Sequence, residues 1–191
     1  PPPQWRKLEQ KAGGVVMEAW HRPREGIGND ARKATQMRKQ VQTLATMQRD
    51  FYVASRRFLI DDLGYEGLVI ASNWTTADPT ILDAAERWSY TGADVSDRHG
   101  YFGGKHEGEA SSYAVRVGQT YEDRSAMGNP GNSPLVTVQT AGQPQIISEF
   151  NWPQPNRHRG EMTWLAAVLA SGQDIDGLFF FALDNAFCRA D

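Results

Sequence analysis

Apolar positions along the chain follow two patterns, one with helical spacing and one in short unbroken runs. Across residues 30–63, Met37, Val41, Leu44, Phe51, Ala54 and Phe58 recur at three- and four-residue steps, with Arg and Lys between them. That spacing predicts one long helix with a single apolar stripe, ended by Gly64. Residues 67–73, 145–149 and 176–183 are short apolar runs and predict buried strands. Residues 93–99 predict another strand, shorter and more polar at its end. Asp78-Pro79 caps and opens a helix running to about Trp88. Residues 161–171 form an Ala-rich helix stopped by Gly172. An irregular lead-in, residues 1–29, holds one short helix over 5–11 and a turn-rich stretch over 22–28. Residues 101–134 are rich in Gly, Ser and Tyr and lack periodicity, which marks a functional inserted loop.

The predicted order is helix, strand, helix, strand, long loop, strand, helix, strand. Continuous apolar strands joined through helices indicate a parallel sheet covered on both faces. Several strand ends carry chemistry-bearing residues: Asn73 and Trp74, Asp97 and His99, Glu149, and Asp184. Active residues spread over successive strand ends favour an α/β barrel of the TIM (β/α)8 kind. A full barrel has eight strands, and this chain supplies about four of them. The expected organisation is one domain over 1–191: lead-in 1–29, long helix 30–63, and strands within 67–183 with the inserted loop 101–134.

Composition narrows the function. The 191 residues are 40% hydrophobic, enough for one domain with a core. A net charge of -3 argues against a nucleic-acid partner. No apolar run approaches the roughly 20 residues that span a bilayer, so no membrane partner is expected. The single cysteine, Cys188, excludes an intramolecular disulfide and any CxxC metal site. No signal peptide is legible at the Pro-Pro-Pro-Gln-Trp start, which reads like the interior of a longer chain. The glycine-rich stretch 103–109 lacks the Gly-Lys-Ser/Thr ending of a phosphate loop, and no GxGxxG occurs, so no nucleotide cofactor is expected. His99 and His106, with Asp97, Glu107 and Glu109 nearby, match no recognised metal spacing. The expectation is no metal and no cofactor.

Three segments, taken together, resemble the C-terminal half of a clan A glycoside hydrolase, the large group of retaining glycosidases on (β/α)8 barrels. Ile147-Ser148-Glu149-Phe150-Asn151-Trp152 is similar to that clan's seventh strand, which bears the catalytic nucleophile. Asp97-Arg98-His99-Gly100-Tyr101 is similar to the sixth-strand segment whose His and Tyr line the sugar pocket. Gly177-Leu178-Phe179-Phe180-Phe181-Ala182 looks like the eighth strand, and Ile70-Ala71-Ser72-Asn73-Trp74 like the fifth. The resemblance implies that the chain covers strands 5–8 of the barrel. It implies a retaining hydrolase of O-glycosidic bonds in an oligo- or polysaccharide, with Glu149 as nucleophile. The clan's acid/base Glu follows an Asn at the end of the fourth strand. No Asn-Glu pair occurs here, so that residue is expected upstream of Pro1, in a missing N-terminal half of the barrel. For an enzyme acting on polysaccharides, a secreted or periplasmic location is the expectation.

The chemistry asks for specific neighbours. A retaining mechanism uses two carboxyl groups about 5–5.5 Å apart, one attacking the anomeric carbon and one serving as acid and then base. A nucleophilic carboxylate benefits from hydrogen-bond donors, and Tyr101 and His99 can supply them if their strand neighbours that of Glu149. Otherwise Glu149 is a structural strand-end acid paired with Arg157 or Arg159, and His99 a buried ring satisfied by backbone. Trp152 and Trp74 each follow an Asn near a strand end. Their rings would stack on sugar C–H faces while Asn151 and Asn73 bridge hydroxyls, or else pack the rim. The competing functional reading is a barrel domain that binds glycans without cleaving them.

Overall fold

The computed structural model describes Trp20 and residues 29–103, 106–107 and 117–182. The expected helix at 5–11, the turn at 22–28, and residues Glu109, Asp184 and Cys188 lie outside the described residues. The chain divides into two compact units, Pro1–Ser96 and Asp97–Asp191.

In the first unit, Asp30 starts the long helix α1 (Ala31–Arg57) as its N-cap. Its carboxylate accepts from the backbone N–H groups of Lys33 at 3.2 Å and Arg32 at 2.9 Å. These bonds, Lys33's first, hold the Asp30 carboxyl below its usual value. The helix continues into a wider turn, Phe58–Asp62, and the chain reverses at Gly64 with φ of 68°, where a side chain would be strained. Only the first half of the predicted stripe is covered. Met37 and Ala45 are buried, and Val41 and Leu44 pack against Trp20, Ala77 and Leu82, whereas Phe51 and Phe58 are exposed. The second helix, α2 (Asp83–Tyr90), begins four residues after the predicted Pro79, because the Asp78 carboxylate first folds a turn onto Thr80. From α2 the fully buried Glu86 carboxylate accepts from the N–H groups of Thr76 at 2.7 Å and Ala77 at 3.2 Å. The Trp20 indole N–H in turn donates to the Thr76 hydroxyl at 3.0 Å.

The run 67–73 is not the buried strand expected of it. It makes a single parallel bridge, Ile70 to Val95, and Leu68 is 67% exposed. An apolar run forms a buried strand only where layers cover both its faces, and the described residues provide no such cover here.

In the second unit the central element is β5 (Gln145–Asn151). It pairs in parallel with β2 (Gly100–Tyr101) and β6 (Gly177–Phe180), and it also pairs with β1 (Ser96–Asp97), the strand on which the division between units falls. The β2 register sets Gly100 opposite Phe150 and Tyr101 opposite Asn151. Helix α3 (Glu161–Gly172) lays Leu165 and Ala166 on a core of Phe102, Ala126, Leu135, Ile147, Phe150 and Trp152. The expected inserted loop contains a two-stranded antiparallel piece, β3 (His106–Glu107) with β4 (Thr120–Tyr121), and a tight 3-10 turn at Pro130–Asn132.

This architecture corrects the barrel expectation. The sheet is small and open, in a mixed α/β arrangement, and does not close as a (β/α)8 barrel. Closure pairs every strand on both edges. Here β6 pairs only with β5 among the described residues, and Phe179 and Phe181 on or beside it are more than half exposed. The expectation of a wholly buried final strand fails for the same reason.

Candidate functional site

The carboxyl ends of β2, β5 and β6 lie side by side, and Tyr101, Glu149 and Asn151 stand at or near them. In open parallel α/β sheets, ligands bind outside the carboxyl ends of the strands. The placement follows from an irregularity in β5. Its buried residues are Gln145 and Ile147, then Phe150, followed just past its end by the buried Trp152. Strict alternation would bury Glu149 instead of Phe150. The slip of one residue falls where the β5–β6 register shifts, between Ile147 and Phe150. Such irregularities re-aim side chains, and here the one affected is the carboxylate.

Both oxygens of Glu149 have partners. The Tyr101 hydroxyl donates to Oε1, and His99 Nδ1 lies 3.4 Å from Oε2. The Glu149 side chain is 25% exposed and that of His99 12%. The other His99 nitrogen, Nε2, is 3.0 Å from Ser148 Oγ. The Ser148 backbone N–H donates to Asp97 Oδ1 at 2.9 Å. Asp97 is 1% exposed, and its Oδ2 is buried with no hydrogen-bond partner among the described residues. Gly100 passes hard against Pro134, and any side chain there would strike the proline ring. That contact holds β2, and with it Tyr101, in place.

Of the residues expected in a site, Asp97, His99, Tyr101 and Glu149 come together. Asp97 does so from below: it is buried, and its carboxylate holds the backbone of β5 at Ser148. Asn151 reaches sideways, donating from Nδ2 to the Phe181 carbonyl at 2.8 Å. Trp152 is corrected from a sugar platform to a core residue. It is fully buried, its ring centroid 5.3 Å from that of Phe102. Asn73 and Trp74 belong to the first unit, where Trp74 is exposed and its carbonyl accepts from the Tyr90 hydroxyl at 2.7 Å. The structural alternative for Glu149 gave Arg157 or Arg159 as its partner. The Arg157 guanidinium instead pairs with Asp123, Nε to Oδ2 at 2.5 Å, and its backbone N–H donates to Asp123 Oδ1 at 3.0 Å; the backbone bond first, and then the guanidinium, hold the Asp123 carboxyl below its usual value.

Ser148 is the site residue that sequence reading missed. The signal lay in the apolar pattern, where buried positions shift from odd to even numbers across Ser148-Glu149. Among the described residues no group of three His, Cys, Asp or Glu side chains could hold a metal. The side chains of His106 and Glu107 lie outside that description. No helix among the described residues is long and apolar enough to cross a membrane. Comparison with protein-family models, with curated proteins and with solved structures finds no match to this chain.

Proposed function

We propose that the chain carries the nucleophilic carboxylate of a retaining glycoside hydrolase acting on an oligo- or polysaccharide. Glu149 attacks the anomeric carbon as the C–O bond to the leaving sugar breaks, the departing oxygen takes its proton from the acid/base carboxyl of the retaining mechanism, and the glycosyl ester that forms is hydrolysed by water that the same group deprotonates. One observation carries this reading. A partly exposed carboxylate at the carboxyl end of a parallel strand has a separate partner for each oxygen, the Tyr101 hydroxyl and His99 Nδ1. Two partners fix the carboxylate plane, and fixed orientation is what a nucleophile needs to attack in line. This geometry is local to β2 and β5 and needs no closed barrel.

The test uses dinitrophenyl glycosides of several sugars. Dinitrophenolate leaves without protonation, so the readout of the nucleophile does not depend on the proton donor. The full chain is expected to release dinitrophenol from at least one glycoside with retention at the anomeric carbon, and Glu149→Gln to lower the rate to background. Undiminished release by Glu149→Gln refutes the nucleophile. Binding of an oligosaccharide without any release supports the non-cleaving glycan-binding alternative.

A further inference from the structure

We propose that Ser148 is a positioning residue that sets the tautomer of His99, and through it the orientation of the Glu149 carboxylate. The inference rests on the nucleophilic reading of Glu149, because that role requires an ionised carboxylate. An ionised carboxylate only accepts hydrogen bonds. A neutral His99 ring suits it with the proton on the nitrogen that faces it, Nδ1 at 3.4 Å from Oε2. A neutral imidazole has one donor and one acceptor nitrogen, so Nε2 is the acceptor and the Ser148 hydroxyl donates to it across 3.0 Å. The hydroxyl thus selects the ring form whose N–H meets the carboxylate.

Consecutive strand residues ordinarily point to opposite faces. Ser148 and Glu149 reach two edges of the same ring because the alternation of β5 slips at this point. The slip is held from beneath, where the buried Asp97 carboxylate accepts the Ser148 N–H at 2.9 Å. Asp97, Ser148, His99 and Glu149 therefore form one connected unit, closed on the outer side by the Tyr101 hydroxyl.

The same connectivity, serine to histidine to acid, is that of a serine nucleophile with its base and orienting carboxylate. The order of exposure argues against that use. In such triads the acid is the buried member, whereas here the Glu149 side chain is about twice as exposed as that of His99, 25% against 12%. The group presented outward is the carboxylate.

Long-range proton–nitrogen NMR on the full chain with isotope-labelled histidine reads the ring tautomer directly, with His99→Gln assigning the signal. Neutral His99 is expected as the Nδ1–H form. Ser148→Ala is expected to shift it toward Nε2–H, and Ser148→Thr, which keeps a hydroxyl, to restore it. On dinitrophenyl glycosides, Ser148→Ala should lower kcat roughly five- to tenfold, the factor given by one net hydrogen bond, with KM little changed. An Nε2–H ring in the unmodified chain overturns the proposal without any variant. So does a tautomer indifferent to Ser148→Ala, or covalent labelling of Ser148 by a fluorophosphonate. If the tautomer follows Ser148 but no glycoside is cleaved, the positioning role stands and the glycosidase reading falls.

Discussion

Glu161 offers a test of how the second unit is held together. It lies in the first turn of α3, and its carboxylate gathers four donors or rings from two segments. Oε1 meets the Ser125 hydroxyl at 2.6 Å and His158 Nδ1 at 3.2 Å. Oε2 accepts from the N–H groups of Ala126 at 2.8 Å and Met127 at 3.3 Å. Burial pushes the Glu161 carboxyl up, but the Ser125, Ala126 and Met127 hydrogen bonds outweigh it, and the net shift is downward. In Glu161→Gln, Ser125 and His158 can exchange donor and acceptor roles to suit the amide. The two backbone N–H groups then keep a partner but lose its charge. A hydrogen bond to a charged group contributes about 1.5–3 kcal/mol and a neutral one about 0.5–1.5, so the loss is about 1 kcal/mol per bond and about 2 in total. For a unit of under 100 residues that lowers Tm by about 8–16 °C. In Glu161→Ala, Met127 N–H retains the Ser125 hydroxyl at 3.1 Å, and the orphaned group is the N–H of the buried Ala126.

The pH dependence gives a second reading of the same site. A carboxyl held below its ordinary 4.5 contributes stability that is fully present above that value and is lost as pH falls through the lower folded value. Thermal unfolding followed by circular dichroism from pH 7 down to about pH 3 separates the two proteins. The unmodified chain should lose its advantage over Glu161→Gln below about pH 4.5. Equal Tm at neutral pH, or a difference that does not shrink on acidification, would show that the ionised Glu161 carboxylate does not hold the 125–127 segment.

Phe150→Ala removes a fully buried ring that packs 4.6 Å from Phe180, and it should cost about 3–5 kcal/mol in urea unfolding of the second unit; a cost below 1 kcal/mol would show that β5 is not the core. Gly64→Ala meets no atom within 4 Å, so its cost is conformational alone, about 1–2 kcal/mol, and Gly64→Asn should cost less; equal loss from both in thermal unfolding would contradict a left-handed turn there. Gly100→Ala should drive β2 off Pro134 and loosen Tyr101, abolishing any tyrosine-dependent protection of Glu149 from carbodiimide modification; unchanged protection would remove that contact from the account.

How much of this was legible in the sequence varied with the range of the interaction. Local signals held: Asp30 and Gly64 bound the long helix, and Glu161 opens the Ala-rich one, because caps and left-handed stops act within a few residues. Donors for Glu149 were expected on the condition that the strand of His99 and Tyr101 lies beside that of Glu149, and the parallel pairing of β2 with β5 meets that condition. Closure was not legible. An apolar run reports that a residue prefers cover, not that cover is present, and Leu68, Phe179 and Phe181 are apolar yet exposed. Trp152 was read as a sugar platform from its place after Asn151 near a strand end, and strict alternation from Ile147 would indeed put it on the face opposite the core. The slip at Ser148-Glu149 turns it inward and at the same time brings Ser148 to His99.

The most direct test of the central claim is covalent trapping of Glu149. Activated fluoroglycosides slow hydrolysis of the glycosyl ester, so the intermediate accumulates on the protein. A mass increase of one fluorosugar is expected, placed by peptide mapping on Glu149 and absent in Glu149→Gln. A sugar found on another residue, or equal labelling of Glu149→Gln, would contradict it.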